Sequence, residues 1–231
     1  MTQTQVNGEK RVVTLEDIEA HQRYLLADGT EVPGSTTVIN NLDKSAPLMY
    51  WAWDCGKKGL DYRKVKDKAA NIGKIAHFLC ECHLNNWEPD LRNYSKDDIS
   101  RATVSYGKFL EYKYREDFEH VKSEFQLVSE TYKYGGTLDW VARDRNGDLV
   151  LIDLKTSKGI YDPYLYQVAS YENLWNEHIS QKIKRRIIVR IGKEKSGDFE
   201  TRELYGDISD YFNVFKDLVS LYYSLKKVKY R

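Results

Sequence analysis

One stretch constrains this chain more than any other: Leu149-Val-Leu-Ile-Asp153-Leu-Lys155 reads as a buried β-strand with two charges inside it. Apolar runs of Val, Ile and Leu at this length belong in the middle of sheets, where an unpaired charge is costly. Asp153 and Lys155 must therefore be paired with each other at a strand end, hydrated, or bound to a metal. A second strand over 137–144 precedes it across Arg145-Asn146-Gly147 and carries Asp139. The register of this hairpin decides whether the two acids meet. A two-residue turn at Asn146-Gly147 sets Asp139 opposite Leu154 and puts the acids on opposite faces. A three-residue loop with Gly147 left-handed pairs Asp144 with Asp148, and hence Asp139 with Asp153. In that register Lys155 joins both carboxylates on one face by strand alternation, and Leu138, Ile152 and Leu154 point to the other.

Two carboxylates brought together in this way repel and call for a hard divalent cation, with oxygen ligands suiting magnesium or manganese. A lysine beside such a centre suits phosphodiester hydrolysis, because an ammonium can orient the attacking water or stabilise charge developing on the phosphate.

The remaining sequence frames this centre with helices and further strands. Thr14-Leu-Glu-Asp17 forms a capping box, and Asp28-Gly29 turns a hairpin over 24–32. From Ala46 the texture is helical. Val65, Ala69, Ile72, Ala76, Leu79 and His83 define one buried stripe. Ser95, with Asp97 and Asp98, starts a helix expected to reach about residue 121. A strand over 124–132 is expected to break at Gly135-Gly136. Asp162-Pro163 reads as an N-cap followed by proline at the first helical position, strands follow over 184–191 and 199–205, and an amphipathic helix closes the chain. At 231 residues and 41% apolar content the chain can bury one substantial core. The expectation is an α/β fold, a central mixed sheet flanked by helices, in one domain. Residues 1–122 would form a mainly helical elaboration, 123–207 the catalytic sheet and helix, and 208–231 the last helix.

A net charge of +1 gives no global attraction to a polyanion, so a nucleic-acid surface must come from local clusters. Three exist: Lys57, Lys58, Lys64, Lys66 and Lys68; Lys182, Lys184, Arg185, Arg186 and Arg190; and Lys226, Lys227, Lys229 and Arg231. Each alone also reads as a solvated face. Cys55, Cys80 and Cys82 lack disulfide-framework spacing. Cys80, Cys82 and His83 point in different directions on a helix and cannot share a zinc ion, and three thiolates fall short of the four an iron–sulfur cubane takes. Met1 to Thr4 lacks a basic region followed by an apolar one, and no apolar run approaches the roughly 20 residues that span a bilayer. These features predict a cytoplasmic protein without a membrane partner.

Gly136-Thr-Leu-Asp139, Asp153-Leu-Lys155-Thr156 and Gln167-Val-Ala-Ser-Tyr171 resemble the G-x-x-D, D-x-K-T and Q-x-x-x-Y series of RecB-like nucleases in the PD-(D/E)XK superfamily, a branch with phage-type and mitochondrial-type exonucleases. Upstream, Gly73-Lys-Ile-Ala-His77 is similar to the G-x-x-x-H helix of the same group, and Pro33-Gly-Ser-Thr-Thr-Val38 with Trp51-Ala52 resembles the segment before it. The resemblance spans about residues 32–171. It implies a restriction-endonuclease-like core with His77, Asp139, Asp153 and the Leu154 carbonyl as metal ligands and Lys155 as the catalytic lysine. Gln167 and Tyr171 would orient Lys155 or contact DNA, and Glu130 sits where some relatives carry an extra acid. Lys57, Lys58, Arg185 and Arg186 are the basic residues expected to meet DNA, with Tyr50, Trp51 and Trp53 available to stack on bases. Leu138 stands where the superfamily name has proline, the four-cysteine cluster of some relatives is absent, and no Walker sequence GxxxxGK[ST] occurs. The implied activity is a magnesium-dependent DNA exonuclease, with manganese as substitute, acting on single- or double-stranded DNA in recombination, repair or replication alongside proteins of those processes. A structure-specific or restriction-like endonuclease and a non-catalytic nucleic-acid-binding module are the alternatives.

Overall fold

The computed structural model describes residues 10–19, 23–42 and 45–229. In chain order the elements are β1 (Val12–Val13), α1 (Leu15–Glu19), β2 (Tyr24–Leu25), β3 (Glu31–Val32), α2 (Ser35–Ile39), α3 (Ser45–Lys57), α4 (Tyr62–Leu84), β4 (Glu88–Pro89), α5 (Lys96–Glu116), β5 (Glu119–Ser129), β6 (Tyr134–Arg143), β7 (Leu149–Lys155), α6 (Asp162–His178), β8 (Ile183–Ile191), β9 (Phe199–Leu204) and α7 (Ser209–Lys229). The chain is a mixed α/β structure with a five-stranded sheet in the order β5-β6-β7-β8-β9. All neighbours are antiparallel except β7 and β8, which run parallel around the α6 crossover.

The local signals place many of these boundaries. Thr14 Oγ1 and the Thr14 amide both donate to Asp17, whose amide donates back to Thr14 Oγ1, so the capping box opens α1. The β2–β3 hairpin turns at Gly29 with φ +82°. Ser95 Oγ accepts the Asp98 amide at the start of α5. That helix stops earlier than residue 121, because Asp117 takes a left-handed C-cap and the chain enters β5 at Glu119. Asp162 lies inside the first turn of α6 with Tyr161 at the N-cap, one position from the expected boundary. The stripe on α4 is buried only from Ile72 onward. Val65 is half-buried and Ala69 exposed, so the N-terminal half of this helix projects from the body.

Helices cover both faces of the sheet. On one, Trp140, Ala142, Val150, Ile152, Leu154, Ile187 and Val189 pack under Cys80 of α4 and Phe109 and Tyr112 of α5. On the other, Val141, Leu149, Leu151 and Ile188 meet Leu165 and Val168 of α6, Phe215 of α7 and Val38 of α2. Leu138 packs on this second side, away from Ile152 and Leu154. Simple alternation from Trp140 puts it with them; the strand changes face at Asp139, where pairing to both neighbouring strands lapses.

Gly135 and Gly136 do not interrupt a strand as expected; they lie inside β6, and the turn falls just before it, with Lys133 at φ +56°. Both are demanded by close approach. A Cβ on Gly135 would fall 2.2 Å from Tyr24 Cγ, and one on Gly136 2.7 Å from Tyr171 Cε1.

Candidate metal centre and active site

The hairpin adopts the three-residue loop. Asp144 N donates to Asp148 O, Gly147 N donates to Asp144 O, and Gly147 has φ +82°. The ladder runs from Arg143–Leu149 to Trp140–Ile152 and stops there. Asp139 and Asp153 are the next opposed positions, where the two strands part. The Leu154 amide, which a continued ladder would use, instead donates to Asp139 Oδ2 at 2.8 Å.

The other neighbour of β6 is irregular at the same level. Ser123 pairs with Trp140 and Phe125 with Leu138, and between them Glu124, opposite Asp139, takes φ +44°. A left-handed backbone is strained for a residue with a Cβ, at about 1–2 kcal/mol, and persists only where the surroundings enforce it. The distortion turns the Glu124 side chain toward Asp139. With His77, carried in by α4, their ligand atoms all lie within 4.8 Å of one another. Sequence reasoning missed Glu124. The acid anticipated nearby, Glu130, is exposed and accepts the Ala27 amide at 2.7 Å.

Asp153 lies outside that trio. It is 0% exposed, and Lys155 Nζ donates to its Oδ1 at 2.8 Å and stands 2.7 Å from Oδ2, which lacks an aligned hydrogen bond. The Tyr164 ring lies beneath the same ammonium, 5.0 Å from its centroid. The ion pair and the acid cluster, alternatives from sequence, thus stand side by side.

A cleft of about 480 Å³ opens onto this arrangement, lined among others by Tyr24, Lys74, His77, Glu81, Thr156 and Gln167. Gln167 Nε2 donates to Tyr171 Oη at 2.7 Å and lies 3.5 Å from Thr36 Oγ1, so the pair line the cleft as one unit. Tyr24 Oη is 2.8 Å from Thr137 Oγ1 on the same wall. Gly73 is needed because a Cβ there would fall 2.7 Å from Thr156 Oγ1, which lets α4 bring His77 against the end of β7.

The electrostatics fit an acid cluster withdrawn from water. Burial pulls His77 down to about 4, helped by Lys155, so at neutral pH its imidazole is neutral and able to offer a lone pair. Burial, then Asp139 and Glu81, raise Glu124. Burial raises Asp139, and burial with Asp139 lifts Asp153 to about 6 despite Lys155. Burial also pushes Glu81 up to about 7. Burial lowers Lys155, but Asp153 and Asp139 outweigh it and hold the ammonium charged. Two carboxylates and a neutral imidazole converging within 4.8 Å, beside a buried carboxylate oxygen that lacks an aligned donor, fit a hard divalent cation better than a thiol-seeking metal.

Leu154 is buried beside the cluster and its amide serves Asp139. Other expected residues lie elsewhere. Arg185 and Arg186 both have partners within the chain: Arg185 bonds Glu203 and Asp144, and Arg186 bonds Glu172 and the Gly206 carbonyl. Arg185 pairs in register with Val150, five residues and about 17 Å down β7 from Lys155. Lys57 closes α3 and Lys58 follows it, both beyond the cleft lining, Lys58 in an ion pair with Asp54. Arg231 of the terminal cluster lies outside the described residues. Cys80 and Cys82 belong to different core clusters, and Cys55 is also buried. No helix among the described residues is long and apolar enough to cross a membrane.

No family model and no curated protein matches this chain. Solved structures do. SSO0001 is 18% identical with a TM-score of 0.35, matching over 55% of this chain and 62% of its own length. A candidate exonuclease from Eubacterium rectale is 12% identical with a TM-score of 0.40, over 92% and 78%. LHK-Exo in complex with dAMP is 11% identical with a TM-score of 0.35, over 70% and 86%.

Proposed function

We propose that this protein is a divalent-metal-dependent DNA nuclease of the RecB-like PD-(D/E)XK type, acting as an exonuclease in recombination, repair or replication. The observation that carries the reading is the meeting of His77, Glu124 and Asp139 beside the Asp153–Lys155 pair, at the point where β6 and β7 part. Three raised carboxyls around one ammonium are a poor way to stabilise a fold and a good way to hold a cation.

His77, Glu124 and Asp139 would hold magnesium or manganese, with Asp153 and the Leu154 carbonyl the further ligands implied by the family resemblance. Such an ion supplies Lewis acidity, polarising a phosphodiester and lowering the pKa of water. The chain's own groups do the rest. Asp153 and the Tyr164 ring hold the Lys155 ammonium at the strand end, charged, where it stabilises negative charge growing on the phosphate or orients the attacking water. Gln167, fixed by Tyr171, offers a polar contact to a bound backbone. His77 stays neutral, so it binds without competing for a proton.

The test is purified wild type and Lys155→Ala with end-labelled linear DNA and closed circular single-stranded DNA, each with magnesium, manganese or EDTA. Metal-dependent loss of linear DNA alone, abolished by the substitution, is expected. Cutting of circles assigns an endonuclease instead. Absence of cleavage under all conditions refutes the catalytic reading in favour of a binding module.

A further inference from the structure

Helix α3 is an unusual surface element. Of its described side chains only Cys55 is buried, while Met49, Tyr50 and Trp53 are 68%, 73% and 62% exposed, with Leu48 beside them. Exposed apolar side chains gathered on one short helix mark a binding face. Trp51 is excluded from it, being half-buried with its ring edge-on to Tyr62 of α4.

The charge around this face is positive. Lys57 Nζ sits 3.9 Å over one side of the ring of Trp53, which is 62% exposed. Lys58 follows, and Arg63, Lys64 and Lys66 continue from the start of α4.

The loop that follows the candidate active site carries similar chemistry. Lys158 stands three residues and at most about 10 Å of chain beyond Lys155. In the same β7–α6 loop Tyr161 is half exposed and meets Tyr164 edge-on at 5.8 Å, and Tyr164 underlies Lys155. Aromatic rings and cations therefore stand together in two places, beside Lys155 at Tyr164, Tyr161 and Lys158, and on α3 at Trp53, Tyr50 and Lys57.

We propose that these two patches form one track that binds a single strand of nucleic acid running to or from the cleft, with unpaired bases stacked on Trp53 and Tyr50 and the phosphates drawn by Lys57 and Lys158. The inference rests on the nuclease reading for its substrate class. Single strands fit the chemistry better than a duplex, because a stacking platform needs base faces that a duplex keeps inside its own stack. A wholly apolar partner would not call for the lysines, and a duplex would not call for the rings.

The test uses the full chain with the double substitution Tyr50→Ala and Trp53→Ala, and the conservative Trp53→Phe. Fluorescence anisotropy in EDTA measures binding of a labelled oligothymidylate of about 20 nucleotides and of a duplex of equal length. Stacking contributes about 1–3 kcal/mol per base, so the double variant is expected to raise the single-strand dissociation constant at least about 10-fold, with duplex binding changed far less and Trp53→Phe near wild type. Unchanged urea midpoints, expected for side chains this exposed, exclude misfolding. Equal single-strand affinity in wild type and double variant refutes the track, as does a variant that changes sedimentation from dimer to monomer while binding DNA normally, which would assign the face to a second copy. The oligothymidylate is then incubated with magnesium. Tight, ring-dependent binding without cleavage sinks the nuclease reading and keeps the track, whereas cleavage with ring-independent binding does the reverse.

Discussion

Gly135→Ala tests the packing that shapes the cleft wall. An ideal Cβ at this position lies 2.2 Å from Tyr24 Cγ and 2.4 Å from both Cβ and Cδ1. These atoms are at the root of the side chain, so turning the ring does not relieve the overlap and Tyr24 must leave. The ring is partly buried between Gly34 and Gly135, which corresponds to about 100 Å² of area removed from water and about 2.5 kcal/mol. Its hydrogen bond to Thr137 adds about 1 kcal/mol. Alanine in a strand regains about 0.5–1 kcal/mol over glycine, leaving a net loss of about 2–3 kcal/mol. Urea denaturation of wild type, Gly135→Ala, Tyr24→Ala and the double variant measures this directly. Tyr24→Ala alone should cost about 3 kcal/mol, and adding Gly135→Ala to it should cost nothing or slightly stabilise, a coupling of about 2–3 kcal/mol. Single effects that add to within about 0.5 kcal/mol, or a Gly135→Ala protein as stable as wild type, refute the account.

Other outcomes follow from the centre itself. Asp153→Ala leaves the Lys155 ammonium without its partner in a largely buried setting, and should destabilise by about 3–5 kcal/mol in chemical denaturation; a loss under about 1 kcal/mol means the pair is solvated. Glu81 has its carboxyl raised from 4.5 to about 7 by burial, so the folded state holds a proton there that the unfolded chain releases. Metal-free stability should be highest below pH 4.5 as far as this group is concerned, fall as pH rises from 4.5 to 7, and stay reduced above it. Glu81→Gln should flatten that slope and stabilise the metal-free protein at pH 8 by about 1–3 kcal/mol; an unchanged slope in EDTA denies the burial cost. Magnesium or manganese should raise the melting temperature, by the equivalent of about 2.7 kcal/mol at 100 times the dissociation constant, and Asp139→Asn or Glu124→Gln should remove most of that rise. A metal response that survives both substitutions places the ion elsewhere.

Much of the hairpin was legible in the sequence because its determinants are local. Arg145-Asn146-Gly147 offers a glycine for the left-handed position, and a strand period of two then fixes Asp139 opposite Asp153. The capping box at Thr14, the Asp28-Gly29 turn and the amphipathic last helix are local in the same sense. Asp139 and Lys155 follow from the hairpin register, whereas His77 entered only through the resemblance of Gly73-Lys-Ile-Ala-His77 to a nuclease motif.

What the sequence could not show depends on contacts between distant segments. Glu124 becomes part of the centre only through the β5–β6 register and a backbone distortion opposite Asp139, and nothing in its neighbours announces a positive φ. Gly135-Gly136 looks like a strand break until the rings of Tyr24 and Tyr171 are seen lying against it. Arg185 and Arg186 read as a basic patch, yet the parallel pairing of β8 with β7 carries them to the far end of the sheet, where acids from β9 and α6 neutralise them. Local periodicity and turn chemistry act over a few residues and survive in one dimension. Close approach, charge pairing and the convergence of ligands are set by which strands lie side by side, and only the folded chain decides that.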